Sequence, residues 1–269
     1  MGVDAALAGG VTFARLRIRV MELEGKAALV TGGTMGIGAA IALALAHRGA
    51  NLAIVARNLG APAHDVKQRI EALGRRCFLI AGDMTRPDDC EGAVDQTVSE
   101  YGRLDVLIHN AGGPSLGTID EVTPDQWRET MDLHLNANYY LVRSALPHLR
   151  RQSEGAIVTV SSTAGLRGVP GAIAYATAKG ALPQFTRSLA QDLADDNIRV
   201  NCVAPGIIRT RFHDGMSEER RQWNLEHRIP LHREGTPEQV AEVVALLVTH
   251  DYITGETLVV DGGLTSRIV

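Results

Sequence analysis

Tyr175 and Lys179 stand four residues apart, so any helix holding both puts them on one face. A free phenol has a pKa of about 10 and is a poor acid or base at neutral pH. A nearby ammonium favours the phenolate and lowers that pKa. The phenol would then give a proton to a carbonyl oxygen or take one from an alcohol. Ser162, thirteen residues before Tyr175, offers a hydroxyl that can hold the same oxygen. Taken alone, a Tyr and a Lys at helical spacing are usually surface packing, and a Ser after a strand is usually a turn residue. A second feature changes the balance: the segment Thr31-Gly32-Gly33-Thr34-Met35-Gly36-Ile37-Gly38. Its glycines permit a tight turn and let backbone N–H groups approach a pyrophosphate at a helix N-terminus. A glycine-rich stretch is by itself as readily a flexible loop, but strand–turn–helix context favours a nucleotide.

That context is present. Ala27 to Thr31 is a short apolar run of the kind found in buried parallel strands. A helix from Gly36 to Gly49 follows, then a strand at Leu52–Ala56, a helix at Pro62–Leu73, a strand at Cys77–Ala81, a helix at Pro87–Tyr101 and a strand at Val106–His109. Thr123-Pro124 has the form of an N-cap followed by a helical-start proline, and opens a helical region running to about Arg150. Further strands are expected at Ala156–Ser161, Ile198–Val203 and Thr257–Val260, with a helix at Tyr175–Leu193. Thr236-Pro237-Glu238-Gln239 reads as a capping box opening a helix that ends near His250. This alternation predicts a parallel seven-stranded sheet with helices on both faces, binding its ligand at the carboxyl ends of the strands.

The motif order resembles that of the short-chain dehydrogenase/reductases, and of 3-oxoacyl-thioester reductases in particular. Gly32, Gly36 and Gly38 have the family's T-G-x-x-x-G-I-G spacing, and Asp83 ends the third strand. Asn110-Ala111-Gly112 follows the fourth strand, Ser162 with Tyr175-x-x-x-Lys179 forms the catalytic set, and Pro205-Gly206 follows the sixth strand. Asp261-Gly262-Gly263 closes the seventh, so the resemblance spans residues 22 to 263. It implies one Rossmann-type domain of three α/β/α layers over 21–269. It also implies a hydride exchange between a nicotinamide cofactor and a carbonyl or secondary alcohol. Tyr175 is then the acid/base, Ser162 the oxygen holder and Lys179 the partner of both phenol and nicotinamide ribose. The cofactor would lie on Gly32, Thr34, Met35, Gly36, Ile37 and Gly38, on Asp83 and Met84, and on Asn110, Ala111 and Gly112. Pro205, Gly206, Ile208 and Thr210 complete its nicotinamide end.

Two positions depart from the family. His109 replaces the first asparagine of the N-N-A-G motif. His134 falls where the family carries a catalytic asparagine, with Asn136 two residues beyond the register. The family residue holds a water through its backbone carbonyl, linking the lysine to solvent, and a histidine has the same carbonyl. An imidazole close to Lys179 should be neutral.

NADP(H) is expected over NAD(H). NAD-specific members place an acid where Ala56 stands, whereas Arg57 can pair with a 2′-phosphate. Met35 counts the other way, since many NADP-dependent members carry a cation there. Substrate choice should rest on residues 113–116, 163–169 and a lid over 211–233, where Phe212, Met216, Trp223 and Leu225 sit amid charges. The alternative on the same fold is a catalytically silent nucleotide-sensing protein, which has no need of the Ser162, Tyr175 and Lys179 set.

The chain has 269 residues, 45% apolar and 22% charged, with a net charge of −4. That balance offers no global attraction to nucleic acid or an anionic membrane. The three cysteines are widely spaced and the nine histidines show no ligand pairing, which argues against a metal site and fits a reducing, cytoplasmic setting. Residues 1–20, with Arg15, Arg17 and Arg19 after an apolar stretch, read as an extension before a domain that begins at Met21. The resemblance further implies a homotetramer, with interfaces on the helices containing His134–Arg150 and Tyr175–Leu193.

Overall fold

The computed structural model describes residues 20–267, so the extension lies outside the described residues apart from Val20. Seven parallel strands form one sheet: β1 (Ala27–Thr31), β2 (Asn51–Ala56), β3 (Cys77–Ala81), β4 (Val106–His109), β5 (Gly155–Val160), β6 (Ile198–Pro205) and β7 (Thr257–Val260). Their spatial order is β3-β2-β1-β4-β5-β6-β7. The order reverses between β1 and β4, the crevice in which such sheets take their ligands.

The strands are buried on both faces, which explains their continuous apolar runs. One face carries α1 (Gly36–His47), α2 (Ala61–Ala72) and α8 (Pro237–Thr249), packed through Ile41, Leu45, Val66, Ile70 and Val244. The other carries α3 (Pro87–Tyr101), α5 (Ala137–Leu149) and α6 (Ile173–Asp192), packed through Val94, Leu141, Ala145 and Ala190. Leu29, Ile54 and Leu107 in the sheet are fully buried, or nearly so, each worth ~1.5–3 kcal/mol. Buried charges are satisfied. Asp105 accepts from the Ala27 N–H at 2.9 Å and from Arg103 at 2.7 and 2.8 Å, tying β1 to β4 at the end away from the crevice. Arg199 of β6 donates to the Leu247 and Val248 carbonyls in the last turn of α8, where a cation suits the helix dipole.

The capping box expected at Thr236/Gln239 forms, and the Thr123 N-cap proves to be a second one, closed by Gln126. The helical region opened by Thr123 is not continuous. α4 (Pro124–Met131) gives way to a π-turn at Asp132–Asn136 before α5 begins. One extra residue is accommodated there, and the Ala137 N–H reaches back to Asp132. Such π-turns recur at functional sites because they re-aim backbone and side chains. The 211–233 segment is also more ordered than a plain loop. It holds α7 (Glu218–Trp223), capped by the Ser217 hydroxyl, and a second π-turn at Asn224–Arg228.

Candidate active site

The glycine turn and the β4 loop are built against each other. Gly32 has φ +64, and a Cβ on it would stand 2.8 Å from the Ala111 Cα. A Cβ on Gly38 would stand 2.2 Å from the Gly32 carbonyl oxygen. Asn110 fastens the same contact, its Nδ2 donating to the Gly32 carbonyl at 3.1 Å. Met35, half-exposed, is the N-cap of α1 and offers no side-chain cap, and the first turn of the helix contains no acid. Its leading N–H groups and the positive end of the dipole are therefore left for an anion. This cradle fits the pyrophosphate of a dinucleotide.

Beside it, at the ends of β2 and β3, a cleft is lined by Ala56, Arg57, Asp83, Met84 and Gly112 among others. Its shape suits the adenosine half of the same cofactor. The Asp83 carboxylate is held by the Thr85 N–H at 3.0 Å and hydroxyl at 2.9 Å. Arg57 is exposed at the rim. Thr85, Glu129 and Leu133 also line this cleft and escaped the sequence reading. The last two come from α4 and the π-turn, and nothing in their types distinguishes them from any other helix face. At the far end of the crevice, Gly206 abuts Asp261, where a Cβ would be 2.7 Å from the Asp261 Cα. Ile208 pairs with Gly235 in an isolated bridge, and a Cβ on Gly36 would stand 3.2 Å from Thr210 Cγ2. The residues expected to hold the cofactor thus ring one crevice.

Ser162, Tyr175 and Lys179 meet at its mouth. Ser162 caps the short 3-10 turn Thr163–Gly165 and interacts with the Tyr175 phenol. Lys179 is buried, and its ammonium donates to the Val160 carbonyl at 2.7 Å and stands 5.8 Å from the centre of the Tyr175 ring. Burial lowers the Lys179 pKa to about 8, so the ammonium persists at pH 7. The expected depression of the Tyr175 pKa is not found among the protein groups. Burial raises it, with the Ser162 hydroxyl working the other way. The Tyr175 ring meets the Phe212 ring at a tilt, 5.9 Å between centroids.

Both histidines that depart from the family pattern are buried here and joined to the π-turn. The Thr31 hydroxyl accepts from the Asn110 and Ala111 N–H groups, each at 3.1 Å, which occupies its two lone pairs. Its proton must go to His109 Nδ1, 2.8 Å away. That leaves the His109 proton on Nε2, which donates to the Leu133 carbonyl at 3.0 Å. His109 is therefore a neutral strut between β1 and the π-turn, and burial, then Lys179, lower its pKa to about 4. His134 Nε2 faces the Gly113 carbonyl at 3.0 Å and must be the protonated nitrogen. Its Nδ1 has no hydrogen-bond partner, and its ring meets the Tyr175 ring edge-on at 5.2 Å. Burial, followed by Lys179 and His109, holds the His134 pKa far below the usual histidine range. The His134 carbonyl accepts from Asn138 Nδ2 at 2.9 Å, using one lone pair.

The chain as a whole is similar to known proteins. The family model described as Enoyl-(Acyl carrier protein) reductase matches residues 32–265. The chain is 38% identical to General stress protein 39 of Bacillus subtilis over 90% of its own length and 85% of the relative's. It is 35% identical to the 3-oxoacyl-[acyl-carrier-protein] reductase of Chlamydia muridarum, covering 90% of this chain and 98% of that one. The L-sorbose reductase of Gluconobacter frateurii, solved with NADPH and L-sorbose, superposes with a TM-score of 0.87 at 30% identity, over 92% of this chain and 99% of the other. The chain belongs to the short-chain dehydrogenase/reductase family. It is an NAD(P)-dependent oxidoreductase acting on CH–OH groups and carbonyls. Among the described residues no helix is long and apolar enough to cross a membrane.

Proposed function

We propose that the chain reduces a small-molecule carbonyl reversibly, with Tyr175 as acid/base and NADP(H) preferred to NAD(H). The observation that carries the reading is the meeting of Ser162, Tyr175 and Lys179 beside a glycine cradle that ends in an uncapped helix. When bound, the dinucleotide supplies the hydride, and the positive charge of its oxidised ring favours the phenolate that burial opposes. Ser162 Oγ holds the substrate oxygen, and Tyr175 Oη delivers its proton or removes it. Lys179 supplies a fixed positive charge below the phenol, and Phe212 covers it from the lid side. A screen of purified protein against ketones, 3-oxoacyl thioesters and sugars, following oxidation of NADPH and of NADH, tests the reading. Absence of turnover throughout, with cofactor bound, would favour the sensing alternative.

The cofactor preference rests on Arg57 at the cleft rim and on the absence of an acid at Ala56. The neighbouring Asp83 is already engaged by Thr85, and Glu129 stands on the α4 side of the cleft. NADPH should show the higher kcat/KM, and Arg57→Ala should narrow the gap. A tenfold preference for NADH, ~1.4 kcal/mol in the opposite sense, overturns the assignment.

His134 should act through its backbone carbonyl, whose second lone pair is left to a water leading towards Lys179. His134→Asn keeps that carbonyl and should change kcat by no more than a few-fold. A loss of orders of magnitude in a folded His134→Asn protein would place the imidazole itself in the proton path. We further place the chain in the cytoplasm as a homotetramer. The three buried, unpaired cysteines support the first, and the half-exposed Tyr139 on α5 supports the second. Light scattering of the purified protein checks the assembly.

A further inference from the structure

Three segments converge beyond the catalytic residues: the turn after Ser162, the end of the lid and the C-terminal turn. Between them lies a cavity of about 240 Å³ lined by Arg167, Arg228, Leu264, Thr265 and Arg267. Three of these five side chains are guanidiniums and none is an acid, so the cavity has one sign of charge.

The guanidiniums are anchored by neutral acceptors. Arg167 Nη2 donates to the Thr265 carbonyl at 2.7 Å, Arg228 Nη1 to Asn224 Oδ1 at 3.1 Å, and Arg267 to the His227 carbonyl. Each spends one donor of five, and the fork is held in place with donors to spare. Among the described residues no carboxylate lines the cavity, and the two acids on the adjoining segments have partners of their own. Glu226 accepts from Gln222 at 2.6 Å, and Asp261 accepts from the Gly263 and Thr265 N–H groups and the Thr265 hydroxyl. Other lid arginines do find acids, as Arg221 does with Glu234 at 3.1 Å. Arg228 has no acid partner among the described residues, and burial, followed by the repulsion of Arg220, lowers its pKa. Arg167 and Arg267 are exposed at the cavity and Arg228 is partly buried, and positive charge gathered in this way attracts an anion.

The cavity is within a substrate's reach of the chemistry. Arg167 follows Ser162 by five residues, which limits their Cα separation to ~18 Å. The lid carries Phe212 against Tyr175 at its start and Arg228 at the cavity near its end. Gly262 and Gly263 of the C-terminal turn lie against Ile229 and Pro230, so the lid's end is packed onto that turn.

We propose that this arginine-lined cavity binds an anionic group of the substrate, a phosphate or a carboxylate, carried at a distance from the reacting carbonyl. The proposal rests on the carbonyl-reductase reading above and narrows its substrate class. The test is calorimetric titration of the NADPH-saturated protein with inorganic pyrophosphate and, separately, with succinate. The parent protein and Arg167→Gln/Arg228→Gln are compared, with melting curves to confirm that both are folded. Saturable binding in the parent, weakened at least tenfold in the variant, is the expected result. Response to pyrophosphate alone assigns a phosphate source, and response to succinate alone a carboxylate. No saturable binding of either anion, or equal binding by parent and variant, overturns the proposal. NADPH affinity is read separately by its fluorescence. Failure of NADPH to bind would refute the cofactor reading, and the same titrations run without NADPH on parent and variant would then decide the fate of the cavity.

Discussion

Tyr175→Phe is expected to abolish measurable turnover while NADPH affinity stays within a few-fold of the parent. The substitution removes one oxygen and keeps the ring that packs against His134 and Phe212. Proton transfer by a positioned side chain contributes typically 10²–10⁴-fold, and no other described group is in place to take it over. Lys179 is turned to the Val160 carbonyl, and the protonated nitrogen of His134 is turned to the Gly113 carbonyl. Stopped-flow fluorescence for cofactor binding, with steady-state rates on any substrate found by screening, separates the two quantities. Turnover near the parent's rate would remove Tyr175 from the mechanism.

The second large effect is expected at Gly38. An alanine methyl there would stand 2.2 Å from the Gly32 carbonyl oxygen and 2.5 Å from Asn110 Nδ2. Gly32 is held in place, its N–H donating to the Val55 carbonyl at 2.8 Å and its carbonyl accepting from Asn110 Nδ2 at 3.1 Å. The first turn of α1 must therefore move, and with it the N–H groups that face the pyrophosphate. Gly38→Ala should weaken NADPH binding at least tenfold, ~1.4 kcal/mol, and cost ~1–3 kcal/mol of stability. Gly92→Ala is the matched control. It lies within α3, where the added methyl meets nothing nearer than Gln96 Nε2 at 3.9 Å. Removing an internal helical glycine there should stabilise by up to ~1 kcal/mol and leave cofactor binding unchanged. Unaltered NADPH affinity in Gly38→Ala would show that the turn is not the pyrophosphate cradle.

The sheet was legible because parallel strands covered on both faces are written as bare apolar runs between glycines and helix caps. β1, β3, β4 and β7 begin and end where their residue types change. The helix starts at Pro124 and Pro237 were equally plain, since threonine, proline and glutamine each have one job at an N-terminus. The π-turn was not legible. An extra residue in a helix leaves no mark in composition, and Asp132 to Asn136 looks like any continuing helix. The role of His109 was hidden for a related reason. Its partner is the Leu133 carbonyl, 24 residues away, and a backbone oxygen has no signature in sequence. The burial that raises the Tyr175 pKa was not legible either, because the ammonium four residues along is visible in the chain and the desolvation of the phenol is not.

The neutral imidazole strut has a consequence for where this protein can live. In the unfolded chain each histidine takes a proton near pH 6.5. In the folded chain His109 holds out to about pH 4, and His134 lower still. Between those values the unfolded chain binds more protons than the folded one, so stability is complete above about pH 6.5 and drains as the pH falls. His109 alone would forfeit on the order of 3 kcal/mol by the time it titrates in the fold, a sizeable part of the ~5–15 kcal/mol a domain possesses. The imidazole that bridges β1 and the π-turn thus makes the fold acid-labile, its contribution draining away between about pH 6.5 and about pH 4.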